Sequence, residues 1–77
     1  MSHRTRTIQW CEGKILEVLA KKQVIPSYLA LSALVLRNVE NLTEQHNLDI
    51  ALSRLISQRL VLKQVNENGF TEYRVAG

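Results

Sequence analysis

The C-terminal eighteen or so residues restrict this chain more than any other stretch. Leu60-Val61-Leu62-Lys63-Gln64-Val65 and Phe70-Thr71-Glu72-Tyr73-Arg74-Val75 are β-branched, aromatic and aliphatic runs that flank Asn66-Glu67-Asn68-Gly69. An Asn-Gly pair between two such runs is the strongest short-range signal for a β-hairpin. A lone hairpin is at best marginally stable in water, so the rest of the chain must supply a cover for one of its faces. Two registers compete. A two-residue Asn68-Gly69 turn sets Lys63 against Arg74. A four-residue loop with Gly69 in the left-handed position sets Lys63 against Glu72 and Val65 against Phe70. Cross-strand pairs of opposite charge or of apolar groups contribute about 0.2–1 kcal/mol each, which favours the four-residue loop. In both registers Leu62, Tyr73 and Val75 share a face, and that face is expected to be buried.

The cover is helical. Ile8, Cys11, Ile15, Val18, Leu19 and Lys22 recur at the three-four spacing of one helix face, with Thr7 as the cap and Trp10, Lys14, Glu17 and Lys21 opposite. Gln23-Val24-Ile25-Pro26 interrupts this helix, because a residue before proline is pushed to extended backbone. Ser27 then caps, or Pro26 starts, a second helix over 28–38 that is apolar almost all round. A third helix starts at Thr43 or at Asn47 and ends near Gln58 or Arg59. Its core stripe is Leu48, Ala51, Leu52 and Leu55, and its opposite face presents His46, Ile50, Ser53, Arg54 and Ser57. Three helices and a two-stranded ribbon in 77 residues leave room for one domain over 7–77, preceded by a basic flexible tail over 1–6.

Composition narrows the function classes. A chain of this length has a small core and few walls for a deep pocket, which argues against a self-contained enzyme. Cys11 is the single cysteine, so no internal disulfide framework or cysteine-based zinc cage is available. Cys11 falls on the core face of its helix, His3 and His46 lack metal-ligand spacing, and Gly13 and Gly69 are isolated. No catalytic residue, metal ligand or cofactor is therefore assigned. The longest apolar run is far short of the ~20 residues that span a bilayer. The segment Met1-Ser2-His3-Arg4-Thr5-Arg6-Thr7 lacks the apolar stretch of an export signal, and a cytoplasmic setting is expected.

The order helix, short extended piece, helix, helix, hairpin resembles the winged helix-turn-helix superfamily. The run Asn47-Leu48-Asp49-Ile50-Ala51-Leu52-Ser53-Arg54-Leu55-Ile56-Ser57-Gln58-Arg59-Leu60-Val61 is similar to the recognition helix of small bacterial regulators, leading into the wing. Arg59 stands where members often have glycine. The resemblance implies binding of double-stranded DNA through Asn47, Asp49, Ile50, Ser53, Arg54 and Ser57 in the major groove. Arg54 would pair with guanine, Asn47 with adenine, and Ile50 would touch a thymine methyl. Lys63 and Arg74 on the wing would meet phosphates, and Arg4 and Arg6 would lie in a minor groove.

Charge pulls the other way. The chain carries +3 net, but residues 1–37 hold +4 and residues 38–77 hold −1. Phosphate neutralisation supplies most non-specific DNA affinity, and the half expected to read the groove is slightly acidic, with Glu67 at the wing tip. A protein-interaction module that does not bind DNA is the alternative this raises. Trp10 on the polar side of the first helix, together with Leu31, Leu34 and Val35 of the apolar second helix, points to a homodimer interface.

Overall fold

In the computed structural model of the chain, residues 5–37 and 42–76 are described. The elements run α1 (Ile8–Lys22), β1 (Val24–Ile25), α2 (Tyr28–Leu36), α3 (Leu42–Ser57), β2 (Val61–Val65) and β3 (Thr71–Val75). The protein is thus mainly helical with a small antiparallel sheet. Thr7 Oγ1 accepts the Trp10 N–H at 3.0 Å and Ser27 Oγ accepts the Ala30 N–H, so both helices start at the hydroxyl that the sequence offers. Helix α2 stops at Leu36, two residues short of expectation, where Arg37 turns to φ 53°. Helix α3 begins at Leu42, one residue before the earlier of the two expected starts, and the connection before it lies largely outside the described residues.

Among the described residues the sheet has three strands in the order β1-β3-β2, not two. Val24 and Ile25, read from sequence only as an extended break, pair with Arg74 and Tyr73 and add a strand on the far side of β3. The hairpin register differs from both expectations. Val61 faces Val75, Leu62 faces Arg74, Lys63 faces Tyr73 and Gln64 faces Glu72. The Asn66 N–H donates to the Phe70 carbonyl and the Gly69 N–H to the Asn66 carbonyl, with Gly69 at φ 84°. Glu67, Asn68 and Gly69 therefore form a three-residue loop closed by a left-handed glycine, a common hairpin type. Asn66 Oδ1 reinforces the turn by accepting the Asn68 and Phe70 N–H groups.

This one-residue difference exchanges faces. Val61 and Tyr73 point into the core, and Leu62 points out opposite Arg74. The expectation that Leu62, Tyr73 and Val75 form the buried face holds for Tyr73, fails for Leu62, and leaves Val75 at the exposed margin. Lining the core are Cys11, Ile15 and Leu19 from α1, Ile25 from β1, Leu31, Val35 and Leu36 from α2, and Leu48, Ala51, Leu52 and Leu55 from α3. The α3 stripe is the one that periodicity gives. Helix α3 ends in a Schellman arrangement: Leu60 N–H donates to the Leu55 carbonyl and Arg59 N–H to the Ile56 carbonyl, with Arg59 at φ 62°. Among the described residues no helix is long and apolar enough to cross a membrane.

Candidate nucleic-acid interface

The core stripe of α3 turns Leu48, Ala51, Leu52 and Leu55 inward, so its other face is left to solvent. Asp49, Ser53, Arg54 and Ser57 are exposed, Ile50 is half-buried, and these five line one shallow depression. His46, outside the expected reading set, is also exposed on this face one turn before Ile50. Asn47 is not part of it. Its Nδ2 donates to the Arg6 carbonyl at 2.8 Å, which holds the chain before α1 against α3.

Two charged residues of the face already have partners. The Arg54 Nε lies 3.6 Å from a Glu12 carboxylate oxygen, which ties α3 to α1. Asp49 Oδ1 accepts from the Tyr28 hydroxyl, and that hydroxyl in turn accepts from Gln45 Nε2. Burial first, then the hydrogen bond to Asp49, pushes the Tyr28 phenol well above its ordinary value. The face is therefore nearly neutral: one anion is bound to a phenol, one cation is bound to a carboxylate, and the rest is serine and isoleucine.

The hairpin cations do not act as a pair. Lys63 shares the face of Tyr73, whereas Arg74 projects from the other face between Val24 and Leu62. An Nη of Arg74 lies 3.9 Å from Glu72, and the Nε is buried with no hydrogen-bond partner among the described residues. The expectation that both occupy one outer surface follows from the register that the structure replaces.

Arg6 is anchored. Its N–H donates to Glu44 Oε2 at 3.1 Å, its Nε lies 3.6 Å from the same oxygen, and an Nη donates to the Leu36 carbonyl. The guanidinium also sits 5.0 Å from the centre of the Trp10 ring, a cation–π contact. Glu44, only 5 % exposed, has been drawn into the first turn of α3 to receive it. The tail reading over 1–6 is thereby corrected at Arg6, which is held by all three helices, while Arg4 lies outside the described residues. Nothing in the spacing of the sequence marks this clamp, because its partners are 30 to 41 positions apart.

Comparison with family models, curated proteins and solved structures finds no match.

The expected dimer surface is corrected in two places. Leu31 and Val35 are buried in the core and present nothing to a partner. Leu34 is exposed, but it sits in a groove with Val18, Lys14, Lys21, Lys22 and Arg37. Trp10, 41 % exposed, lines a separate depression with Thr5, Arg6 and Thr7. Leu31, Val35 and Leu36 are absorbed because α2 is wedged among α1, α3 and the sheet, whereas Leu29, 79 % exposed, and Leu34 stay at the surface. Cys11 is fully buried, and burial raises its thiol above the ordinary value. Among the described residues no group of three or more His, Cys, Asp or Glu side chains could hold a metal ion.

Proposed function

We propose that this chain is a winged helix-turn-helix regulator that binds double-stranded DNA, with α3 in the major groove and the β2–β3 hairpin as the wing on the backbone. The observation that carries the reading is topological. A helix that leaves one face to solvent runs, through a left-handed Arg59, straight into a two-stranded hairpin, and β1, which adjoins α2, completes the sheet beside it. Arg54, Ser53, Ser57 and Ile50 meet in one depression on that helix, with a donor, two hydroxyls and a methyl-binding group for base edges. The reading assigns no catalytic step and no cofactor, and its natural state is a homodimer on two half-sites in the cytoplasm.

A second reading, a protein-interaction module on the same fold, is favoured by a specific observation: Arg54, the one cation among the described residues that line the α3 depression, is paired with Glu12. A salt series on a random duplex separates the two. With Arg59 and Lys63 each neutralising a phosphate and Arg54 kept for a base, affinity falls by about tenfold between 50 and 200 mM salt. Absence of binding at 50 mM salt refutes the DNA reading and leaves the interaction module. Arg54→Ala provides the specific arm, with an expected loss of about 1–3 kcal/mol confined to one base position.

A further inference from the structure

Among the described residues the three-stranded sheet has two open edges, and they are not alike. The β1 edge is two residues long and is followed at once by Pro26, which has no N–H to offer. The β2 edge is five residues long, and Lys63 is its sole charge. Exposed apolar side chains gather along this ribbon and its flanks: Leu60, Leu62, Val65, Phe70 and Val75, with Val65 68 % and Phe70 58 % exposed. A long edge guarded by one lysine is a template for another strand.

The hydrogen-bond pattern says which backbone groups are open. Asn66 bonds to Phe70 and Ala76 to Leu60, so the pairs 60–76 and 66–70 are the hydrogen-bonded kind. Antiparallel pairs alternate, so Leu62 and Gln64 also turn their backbone groups toward β3, while Val61, Lys63 and Val65 turn theirs away. Val61 is 1 % exposed, so its outward groups are covered. Lys63 and Val65 remain, both exposed.

We propose that the distal half of β2 is a self-recognition edge, pairing antiparallel with the same strand of a second copy of this chain. Two-fold symmetry leaves few registers, because side chains facing each other must lie on the same side of the joined sheet. Centring on Leu62 or on Lys63 requires the covered groups of Val61, and centring on Lys63 also sets lysine against lysine. Centring on Gln64 requires neither. It bonds Lys63 of each copy with Val65 of the other through their backbones, sets the two Gln64 amides side by side, and covers Val65. Lys63 thus acts as a register selector: it is repelled by its own copy and tolerated opposite valine. The contact is small, so the dimer is weak and fast-exchanging. It requires no DNA, and its failure would leave duplex binding by α3 untouched, since the salt series on a random duplex reads that separately.

Sedimentation velocity of the full chain, from about 10 µM to 1 mM without DNA, tests the pairing. Val65→Lys places lysine opposite Lys63 and is expected to weaken association at least tenfold. Val65→Glu places a carboxylate opposite the same lysine and is expected to associate at least as tightly as the unaltered chain. Lys63→Pro removes an N–H that β3 does not use, and it also weakens association at least tenfold, with far-UV circular dichroism confirming that the sheet persists. Trp10→Ala leaves the dimer intact. A monomer at every concentration overturns the proposal, as does equal association of the Val65→Lys and Val65→Glu chains. Loss of the dimer in Trp10→Ala alone also overturns it. Should Lys63→Pro fail to fold, the opposed pair at exposed position 65 still decides the matter.

Discussion

Replacing Glu44 with alanine removes the anion that holds the start of the chain to α3, and the structure sets the size of the effect. Glu44 accepts the Arg6 N–H at 3.1 Å, a charge-assisted bond of a kind that contributes about 1.5–3 kcal/mol. The guanidinium 3.6 Å away adds an attraction of about 4–5 kcal/mol at an effective dielectric constant of about 20, before desolvation. Desolvation cancels most of that attraction. The Arg6 side chain is also 35 % exposed, so water screens what is left. A net loss of about 2–4 kcal/mol follows, against a total stability of about 4–12 kcal/mol for a domain of this length. The melting temperature should fall by roughly 10–25 °C. Urea unfolding followed by far-UV circular dichroism, with the single tryptophan as a second probe, measures the loss. The double cycle with Arg6→Ala isolates the side-chain pair, since that variant keeps its backbone N–H, and a coupling of about 1–2 kcal/mol is expected. Coupling below about 0.5 kcal/mol would refute the clamp and return Arg6 to the role of a loose arm.

Three further outcomes can be checked by the same melts. Gly13 lies exposed in the middle of α1, and a Cβ there meets nothing within 4 Å, so Gly13→Ala should stabilise by about 0.5–1 kcal/mol. Arg59→Gly should also stabilise, by about 0.5–1 kcal/mol, because φ 62° strains arginine and not glycine; an unchanged or lowered midpoint would refute that. Stability should fall on the alkaline side. Cys11, Tyr28 and Tyr73 all have pKa values raised chiefly by burial, so the fold favours their protonated forms. That contribution is complete below the ordinary values of 9.0 and 10.0 and is lost as pH rises through the folded values. Tyr28→Phe should flatten the decline above pH 10; an identical slope there would show that Tyr28 is not the group responsible.

Local signals in the sequence were reliable where side-chain periodicity meets a cap. Thr7 and the α1 stripe, Ser27 at the start of α2, and Leu48, Ala51, Leu52 and Leu55 in α3 all stand where spacing puts them. The register expected from the sequence rests on an attraction between Lys63 and Glu72 across an exposed surface, a small effect. The larger effect is the burial of Val61 in place of Leu62, and two adjacent aliphatic residues give no alternation to choose between them. The strand at Val24–Ile25 was visible as extended backbone, but two residues cannot announce a partner fifty positions away. Leu31 and Val35 read as surface in the sequence because α2 alone shows no polar face; only the packing of other elements around it shows which side is covered. Of the candidate interface, the α3 cluster was legible from its angular positions. The capture of Asn47 and Arg6 by the clamp was not, because an ion pair across 38 positions leaves no trace in local pattern.

Cys11 has no exposed surface and lies where α1 meets the rest of the core, with Ile15 and Leu19 on the turns that follow. A thiol reagent in solution can reach its sulfur only after α1 has lifted away, so the labelling rate at saturating reagent is the rate of that opening. At lower reagent the rate reports how often the opening occurs, and comparison with the urea-derived value tells whether α1 departs alone or together with the sheet. The chain therefore carries a native stopwatch for its own breathing, read at a single atom and requiring no added label site.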